Sequence, residues 1–358
     1  MYVESLALKN FRNYETLEMN FSDSINILYG DNAQGKTNIL EAIFIAATTK
    51  SHRNSKDKDI ISIGKEDAHI RLNLKKRDVG HRIDMHMRRA GTKGVAVDGI
   101  PIRKSTDLFG MINIIMFSPE DLAVVKDGPG ERRRFMDMEI CQLSRIYYGN
   151  LVRYNKILDQ RNNLLRQILF KPELEDTLGA WDTQLVETGS QIIKERRNFI
   201  GLINEIINDI HKDITSERES INIIYEPSVE EDEFAEVLVS KRNLEIKNQI
   251  TMCGPQRDDF AVIINDKDVR TFGSQGQQRT AALTLKLAEI ELVKKIANDD
   301  PILLLDDVMS ELDSGRRDAL LDKIKGLQTI ITCTGYDDFI SQRINVDKIY
   351  KIKEGKIV

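Results

Sequence analysis

The sequence is poor in the residues that usually build metal centres and disulfide frameworks. Its three cysteines, Cys141, Cys253 and Cys333, lie far apart, and neither they nor the five histidines show the spacing of metal ligands. An odd number of cysteines is also unusual for a disulfide framework, which favours a reducing compartment such as the cytosol. The helical segments around Ser144 and Ser190 carry no pattern of a nucleophilic triad.

Long apolar runs and an excess of positive charge are missing as well. No apolar stretch approaches the roughly 18 residues of a membrane span, and the opening MYVESLALKNFRNYE lacks the basic and apolar regions of a signal peptide. We therefore expect a soluble, cytoplasmic protein that does not contact membranes. The formal net charge of −5 gives no general affinity for polyanions, so any contact with nucleic acid has to use a local patch.

The order of strand-like and helical segments predicts two lobes. Hydrophobic residues make up 41% of the 358, which is enough for a well-buried core. Both ends of the chain resemble strands, with hairpin signals at Asp98-Gly99 and Glu354-Gly355. From about residue 131 to residue 211 the apolar period is helical, with a break at Lys171-Pro172, which predicts two helices of about 30 residues folded into a hairpin. The acidic EPSVEEDEFAE after them is typical of a solvated linker.

We therefore predict an α/β fold with a discontinuous head and an inserted α-helical hairpin lobe. The head comprises residues 1–120 and 250–358 and contains a mixed sheet with flanking helices. The inserted lobe comprises residues 121–249.

The segment GDNAQGKT, from Gly30 to Thr37, matches the phosphate-binding pattern G-x-x-x-x-G-K-[ST]. It follows the predicted strand INILY and opens the predicted helix TNILEAIFIAA, which is the context that the pattern requires. Backbone N–H groups and the helix dipole would hold phosphate oxygens there, while Lys36 reaches the β- and γ-phosphates and the Thr37 hydroxyl binds Mg²⁺. The predicted nucleotide-binding residues of this segment are Gly30, Asn32, Ala33, Gln34, Gly35, Lys36, Thr37 and Asn38.

Two carboxylates follow the aliphatic run of PILLLDDV. A buried parallel strand would deliver them at its C-terminal edge, where α/β sheets bind ligands. Asp306 is then placed to hold Mg²⁺, either directly or through water, and Asp307 points elsewhere and is placed to polarise the attacking water. The alternative is a pair of residues that cap a helix, as Ser310 would in the MSELD that follows.

Residues 50–104 carry a local excess of positive charge, with 15 lysine and arginine residues against 7 acidic ones. One interpretation is a surface that contacts the phosphate backbone of DNA. The other is a solvated face of a sheet, and the sequence leaves both open.

The polar TFGSQGQQRT lies before a predicted helix, between the phosphate loop and the paired acids. A phosphate loop, a Ser/Gly/Gln-rich loop, an aliphatic strand ending in acids and then SELD resemble the order of motifs in ATP-binding-cassette ATPases. The helical hairpin between the first two motifs resembles the SMC-type branch of that superfamily. The further blocks LKNFRNYE, FSPEDLAVVKDGPGERRRFMD and GPQRDD are similar to members of this branch that act in bacterial DNA replication and repair.

The resemblance implies an ATP-dependent homodimer that joins head to tail. Ser274 and Gly276 of one subunit would contact the γ-phosphate held by the phosphate loop of the other, so Ser274 joins Lys36 and Asp307 as a catalytic residue. Gln277, with Gln278 and Arg279, would support the loop, and Arg12 would lie near the nucleotide. Because Asp307 replaces the usual glutamate, and Thr332 or Thr334 stands where a histidine is frequent, the resemblance implies a weak, DNA-stimulated ATPase.

The resemblance also implies a role in recombinational repair. ATP with Mg²⁺ would close the dimer on duplex DNA near single-strand gaps or junctions, slow hydrolysis would release it, and RecR and RecO would be the partners that help to load RecA. A transporter ATPase would share the cassette motifs but needs membrane partners and has a shorter insertion. A small-molecule P-loop kinase would need an acceptor pocket and no signature loop.

Overall fold

The computed structural model describes residues 1–53, 55–103, 107–335 and 346–358, which divide into two compact units. The first unit combines Met1–Asp121 with Glu289–Val358, and the second is Leu122–Ala288. The mixed sheets and the long helical hairpin confirm the predicted α/β class. The second unit includes residues 250–288, and the functional division at residues 121 and 249 stays a prediction.

The first unit contains two six-stranded sheets. One has the order β2-β1-β4-β5-β6-β7 and is antiparallel, and the other has the order β15-β14-β3-β13-β12-β8, in which all neighbours but β15 and β14 are parallel. The elements are β1 Tyr2–Phe11, β2 Tyr14–Asn20, β3 Ile25–Tyr29, α1 Lys36–Thr48, α2 Asp57–Ile60, β4 Asp67–Lys76, β5 Val79–Arg88, β6 Gly94–Val97, β7 Ile100–Pro101, β8 Ile114–Phe117, β12 Ile302–Asp306, α10 Ser314–Lys323, β13 Thr329–Cys333, β14 Val346–Lys353 and β15 Lys356–Ile357.

Burial in the two sheets follows from their type. Strand β4 alternates, with Ala68, Ile70, Leu72 and Leu74 buried, because one face of its antiparallel sheet meets solvent. All five residues of β12 are buried, as expected for a central strand of a parallel sheet that is covered on both faces. Both predicted hairpin turns are confirmed, since Gly99 lies between β6 and β7 and Gly355 between β14 and β15.

The second unit is mainly helical around a small antiparallel sheet of order β11-β10-β9. None of the helices in the described ranges is both long enough and apolar enough to cross a membrane. The elements are α3 Leu122–Lys126, α4 Pro129–Leu143, α5 Arg145–Ile168, α6 Leu178–Thr215, β9 Ile221–Glu226, α7 Phe234–Asn248, β10 Asp259–Ile264, β11 Lys267–Asp268, α8 Val269–Phe272 and α9 Gln275–Ala297, which continues into the first unit.

The helical hairpin is present, but its helices differ in length from the predicted pair of about 30 residues, since α5 has 24 residues and α6 has 38. The first predicted helix is divided into α4 and α5 at Ser144, whose backbone is extended and whose hydroxyl accepts a hydrogen bond from the Tyr147 N–H at 3.1 Å. Serine competes with helical hydrogen bonding in this way, which is why it caps helices well. The acidic linker is also shorter than predicted, because β9 ends at Glu226 and the buried Phe234 starts α7.

Two buried arginines connect the helices of the second unit. Arg196 on α6 pairs with Asp137 of α4 at 2.8 Å and with Asp258 at 2.9 Å. Arg161 on α5 pairs with Asp182 of α6 at 2.7 Å. Removal of one partner from such a pair leaves a buried charge uncompensated, which costs about 3–5 kcal/mol. The motifs GERRRFMD and GPQRDD, distant in sequence, are therefore joined by Arg196 in the core of this unit.

Candidate nucleotide-binding site

The phosphate-loop motif has the predicted context of a strand, a loop and a helix. β3 ends at Tyr29, and α1 begins at Lys36 after Gly35, whose φ of 109° is one that only glycine adopts without strain. The loop lines a pocket together with residues that follow β12 and β13. The lining residues are Asn32, Ala33, Gln34, Gly35, Lys36, Thr37, Asn38, Arg53, Asp306, Asp307 and Thr332.

The turn between β1 and β2 supports the loop from outside the pocket. The Asn13 side-chain amide donates to the Gln34 carbonyl at 3.1 Å, and the Tyr14 hydroxyl donates to the Gly35 carbonyl at 3.1 Å. A Cβ on Gly35 would lie 2.6 Å from Nδ2 of Asn13 and 2.8 Å from the Tyr14 oxygen. A side chain at position 35 would therefore have to displace the two residues that brace the loop. Sequence reasoning missed both bracing residues, because nothing in a turn 21 residues upstream marks such a contact.

Gly30 has a packing role in this structure and does not line the pocket. A Cβ at this position would lie 2.2 Å from the carbonyl oxygen of Ile352 in β14, so the close approach of two backbones explains the glycine. The following turn also holds the loop, since the Glu354 N–H donates to Oε1 of Gln34 at 2.6 Å. The prediction that Gly30 contacts nucleotide stays untested.

Lys36 is buried, and its ammonium group is held against the loop backbone. Nζ donates to the carbonyl oxygens of Gly30 at 2.5 Å and Asp31 at 2.8 Å. Only 6% of the residue is exposed. A buried cation inside a pocket of backbone amides is suited to bind an anion.

Asp306 and Thr37 meet at the edge of the parallel sheet. Oγ1 of Thr37 donates to Oδ1 of Asp306 at 2.8 Å, and Oγ1 of Thr332 donates to the same oxygen at 2.7 Å. Asp306 and Thr332 are register partners in β12 and β13, which explains the second contact. Two hydroxyls thus fix the direction of one carboxylate oxygen.

Asp307 lies beside this pair in a strained conformation. Its φ is 54°, and its N–H donates to Oγ1 of Thr332 at 3.0 Å, so Thr332 is bound to both acids. Burial raises the pKa of the Asp307 carboxyl, the Lys36 ammonium lowers it and the Asp306 carboxylate raises it, and the net shift is upward. Thr334 is exposed, whereas Thr332 is fully buried, so the structure favours Thr332 as the residue that acts here.

The alternative interpretation of the two acids as helix caps is not supported. Asp307 precedes a short 3-10 turn, Val308–Ser310, and its side chain makes no capping hydrogen bond. The expectation that Ser310 caps the next helix is wrong, because α10 begins at Ser314 and Asp313 caps it by accepting from the Arg316 N–H at 3.0 Å.

Arg12 is turned toward α1 and does not line the pocket. Its guanidinium group binds the Glu41 carboxylate at 2.6 and 2.8 Å and also donates to the hydroxyl of Ser55 at 2.6 Å and the carbonyl of Asp59 at 2.8 Å. Burial raises the pKa of Glu41, but hydrogen bonds from Arg12 and Ser51 outweigh burial, and the pKa is lowered. The guanidinium group therefore holds α1 in this structure, and its predicted contact with nucleotide stays a prediction.

Arg53 is a pocket residue that sequence reasoning missed. It follows α1, is exposed, and its Nη1 lies 3.5 Å from Oδ1 of Asn38. A basic residue shortly after the helix of a phosphate loop is the signal that could have identified it. It adds a second positive charge, beside that of Lys36, to the residues that line the pocket.

The Ser274 loop lies in the second unit and forms the start of α9. The Gln277 N–H donates to Oγ of Ser274 at 3.2 Å, and the Ser274 N–H donates to Oε1 of Gln277 at 2.9 Å, which together make a capping box. Ser274, Gln275 and Arg279 are exposed, and Gly276 is half-buried. The side-chain amide of Gln278 anchors the turn through the Val269 carbonyl at 3.2 Å. The positive end of α9 is thus presented to solvent.

Comparison with known proteins gives a consistent result over the whole chain. The family model described as RecF/RecN/SMC N terminal domain matches residues 2–357. The DNA replication and repair protein RecF of Lachnoclostridium phytofermentans is 57% identical over 357 residues, which cover 100% of this chain and 99% of that protein. The protein of the same name from Lachnospira eligens is 56% identical, again over 100% of this chain and 99% of the relative.

Solved structures agree with the sequences. A structure described as the recombination mediator protein RecF-ATP in the RecFOR pathway is 34% identical, has a TM-score of 0.94, and covers 100% of this chain and 97% of its own. An Smc head domain of Pyrococcus furiosus, bound to the C-terminal domain of ScpA, is 17% identical with a TM-score of 0.58, covers 100% of this chain and 96% of its own, and supports the fold alone. The family model, the relatives and the solved structure all match over nearly the entire chain. The chain therefore belongs to the RecF family of the RecF/RecN/SMC group.

Proposed function

We propose that the chain is an ATP-dependent DNA-binding protein of bacterial DNA replication and recombinational repair. The observation that carries the nucleotide site is the 2.8 Å hydrogen bond between Thr37 and Asp306, which joins the phosphate loop to the acidic end of β12. The 34% identical relative described as RecF-ATP supports ATP as the nucleotide. The names of the relatives support the role in replication and repair.

Mg²⁺ fits the donor set of this site. It prefers oxygen ligands in octahedral geometry at about 2.0–2.1 Å, so adjacent ligands lie about 2.9 Å apart. The Thr37 hydroxyl and the Asp306 carboxylate are both oxygen donors at 2.8 Å from one another. When bound, the ion would neutralise charge on the β- and γ-phosphates. Asp306 and Thr37 would hold it, and Thr332 would keep the carboxylate aimed.

The chain's own side chains would carry the remaining steps. The buried Lys36 would exchange its two carbonyl partners for phosphate oxygens, because a phosphate dianion is the better acceptor for an ammonium group. Asp307 would orient the attacking water and accept its hydrogen bond. Aspartate is shorter than glutamate, so its reach to that water is poorer, and we infer slow turnover. We also propose that DNA stimulates this turnover, since the relatives are DNA replication and repair proteins.

The exposed capping box supports an active site that two chains complete. Ser274 and Gly276 lie at the positive end of α9, where an anion is stabilised. We infer a head-to-tail homodimer in which this end of one chain faces the γ-phosphate in the pocket of another. ATP would thereby join two subunits, and hydrolysis would separate them.

Contacts with DNA would use part of the basic region, residues 50–104. Arg71 and Arg82 both pair with Asp84, at 2.7 and 2.8 Å, which fits the solvated-face interpretation for those residues. Within the described ranges Arg77 and Arg88 are exposed and form no ion pair, so they are better suited to meet phosphates. Duplex DNA beside a single-strand gap is the proposed target, and RecR and RecO are the proposed partners in loading RecA. We infer a cytoplasmic location from this role.

Substitution of Ser274 tests the dimer directly. Ser274→Arg adds bulk and charge at the proposed interface, so ATP should no longer produce a dimer, as measured by mass at saturating ATP. A full ATP-dependent dimer in this variant would refute the two-chain site. Lys36→Ala should abolish turnover in the same preparation, and retained turnover would remove Lys36 from its role.

Salt dependence tests the DNA contact. Neutralised phosphates set the slope of log affinity against log salt, because each contact releases counterions. We expect a clearly negative slope for gapped duplex DNA with ATP present. A flat dependence would refute binding through the phosphate backbone.

A further inference from the structure

A chain of polar contacts leads from the end of α6 to the Ser274 loop. Glu219 lies in the turn after α6, and its Oε1 accepts a hydrogen bond from Nε2 of Gln277 at 2.9 Å. Oε1 of Gln277 in turn accepts from the Ser274 N–H at 2.9 Å. All three residues belong to the second unit. The side chains of Glu219 and Gln277 therefore connect the loop that would meet nucleotide to the end of the helical hairpin.

Glu219 decides which way the Gln277 amide points. An amide side chain presents one donor end and one acceptor end, and a carboxylate accepts hydrogen bonds only. With Nε2 bound to Glu219, Oε1 must face Ser274, which is the orientation that closes the capping box. Without the carboxylate, either end of the amide could face the loop, and the Ser274 N–H would lose a fixed acceptor.

Glu219 lies beside a buried histidine at the base of α6. Nε2 of the fully buried His211 lies 3.4 Å from Oε2 of Glu219, and Nδ1 of His211 contacts Oγ1 of Thr284 on α9 at 3.0 Å. The Thr284 hydroxyl donates to the Thr280 carbonyl at 2.8 Å, so Nδ1 of His211 is the donor in its own contact. Burial lowers the pKa of His211, and the Glu219 carboxylate opposes that shift. The negative charge of Glu219 then remains available to Gln277.

We propose that Glu219 is a positioning residue for ATP-dependent pairing of two chains. From the turn that ends α6, it orients Gln277 and through it the Ser274 N–H and hydroxyl, so the phosphate-facing loop is pre-organised before a second chain arrives. This inference rests on the proposed function of Ser274. It adds that the base of the helical hairpin governs the loop, which means that displacement of α6 would alter nucleotide-dependent pairing.

Five variants, one of which is Gln277→Glu alone, separate this role from a general loss of charge or stability. Glu219→Ala removes the acceptor, and Glu219→Gln keeps an oxygen that can accept from Gln277. Asp213→Ala removes an exposed acid from the last turn of α6 and serves as the matched control. The double variant Glu219→Gln with Gln277→Glu reverses the polarity of the bond while it retains an acceptor for the Ser274 N–H.

Two measurements on the full chain apply to every variant. Hydrogen exchange without nucleotide reports protection of the Ser274 amide, and mass measurement with ATP reports dimerisation. Because a hydrogen bond to a charged group contributes roughly the free energy of a tenfold change, Glu219→Ala should speed exchange at Ser274 and weaken ATP-dependent dimerisation by about tenfold each. Binding of a fluorescent ATP analogue to the single chain should stay unchanged, since the phosphate loop is intact.

The control and rescue variants complete the test. Asp213→Ala and the double variant should behave like the unaltered chain, Glu219→Gln should lie close to it, and Gln277→Glu alone should be impaired because two carboxylates then face each other. The proposal would be overturned if Glu219→Ala dimerised with ATP as well as the unaltered chain does, whatever its rate of hydrogen exchange at Ser274. If Glu219→Ala does not fold, ATP-dependent dimerisation of Gln277→Glu is compared with that of the double variant. The proposal is overturned if the double variant dimerises no better than Gln277→Glu. If the unaltered chain does not dimerise with ATP, the proposed function is refuted and this inference with it. Hydrogen exchange at the Ser274 amide would still show whether the bond between Glu219 and Gln277 exists.

Discussion

The hydroxyl of Thr37 donates to Oδ1 of Asp306 across 2.8 Å, although the two residues are 269 positions apart in the chain. This contact joins the first residues of α1 to the last residue of β12. It places two oxygen donors with the separation of neighbouring Mg²⁺ ligands beside the buried ammonium group of Lys36.

Without the Thr37 hydroxyl, the chain should still bind nucleotide, but this binding should depend little on Mg²⁺. Thr37→Ala takes away one oxygen donor and leaves the backbone amides of the loop in place. We expect ATP turnover to fall by about 100-fold or more, because charge stabilisation on the transferring phosphate is the main catalytic term. Nucleotide binding measured with and without Mg²⁺ should lose most of its Mg²⁺ dependence. Thr37→Ser, which retains the hydroxyl, should stay near the unaltered rate, and an equal loss in both variants would contradict the assignment.

Asp307→Asn should stop hydrolysis and preserve ATP-dependent dimerisation. The amide has the same size but cannot take up a proton or orient water as an anion does, which costs about 10²–10⁴-fold. Burial raises the pKa of Asp307 above its ordinary value of 3.8, so the ionised form is lost as pH falls through that raised pKa. In the unaltered chain the rate of ATP turnover should therefore fall in acid, with a midpoint above pH 3.8. The residual turnover of the variant should show no such fall. A variant that hydrolyses ATP normally would exclude Asp307 as the water-orienting residue.

Arg12→Ala should destabilise the first unit through Glu41. The Glu41 carboxylate is 0% exposed, and loss of its guanidinium partner leaves a buried charge, at a cost of about 3–5 kcal/mol at neutral pH. In the unaltered chain the pKa of Glu41 is below 4.5, so its ionised form stabilises the fold above pH 4.5 and that contribution fades as pH falls through the lowered pKa. The variant should therefore approach the unaltered chain in acid.

Urea unfolding at pH 7 and pH 4 measures this difference. Glu41→Gln combined with Arg12→Ala is the matched control, since it removes the uncompensated charge and should recover part of the stability at pH 7. A destabilisation that does not depend on pH would show that Arg12 acts through packing and not through its charge.

Gly35→Ala should disable the phosphate loop, whereas Gly64→Ala should be mild. Both glycines have positive φ, 109° and 78°, so both substitutions carry backbone strain of about 1–2 kcal/mol. Only at Gly35 would the new Cβ collide, at 2.6 Å from Asn13 and 2.8 Å from Tyr14, whereas nothing lies within 4 Å at Gly64. ATP binding by calorimetry should be lost in the first variant and retained in the second. Equal effects would mean that strain and not space explains the glycine.

Local motifs allowed much of the site to be predicted from the sequence. GDNAQGKT is contiguous, and its strand and helix are marked by the apolar residues on either side. PILLLDDV predicted a buried strand with acids at its end, and all five residues of β12 are buried with Asp306 at the last position. Such features can be predicted because residues that are close in sequence also lie close together within one strand, loop or helix.

Contacts between distant segments could not be predicted in the same way. Asn13 and Tyr14 brace the phosphate loop only because the turn between β1 and β2 lies beside it, and Thr332 reaches Asp306 only because β13 pairs with β12 in one register. The interruption at Ser144 depends on a single hydroxyl that outcompetes the helix, which the apolar period does not reveal. A polar side chain has several possible partners, and the tertiary structure selects among them.

The sequence by itself determined the fold class, the phosphate loop and the paired acids, because each follows from residue spacing within one or two elements. The tertiary structure decided that Arg12 binds Glu41, that Arg53 lines the pocket, and that Glu219 orients Gln277. Hydrogen bonds and charge pairs act over a few ångströms, and only the packed chain brings their partners within that distance.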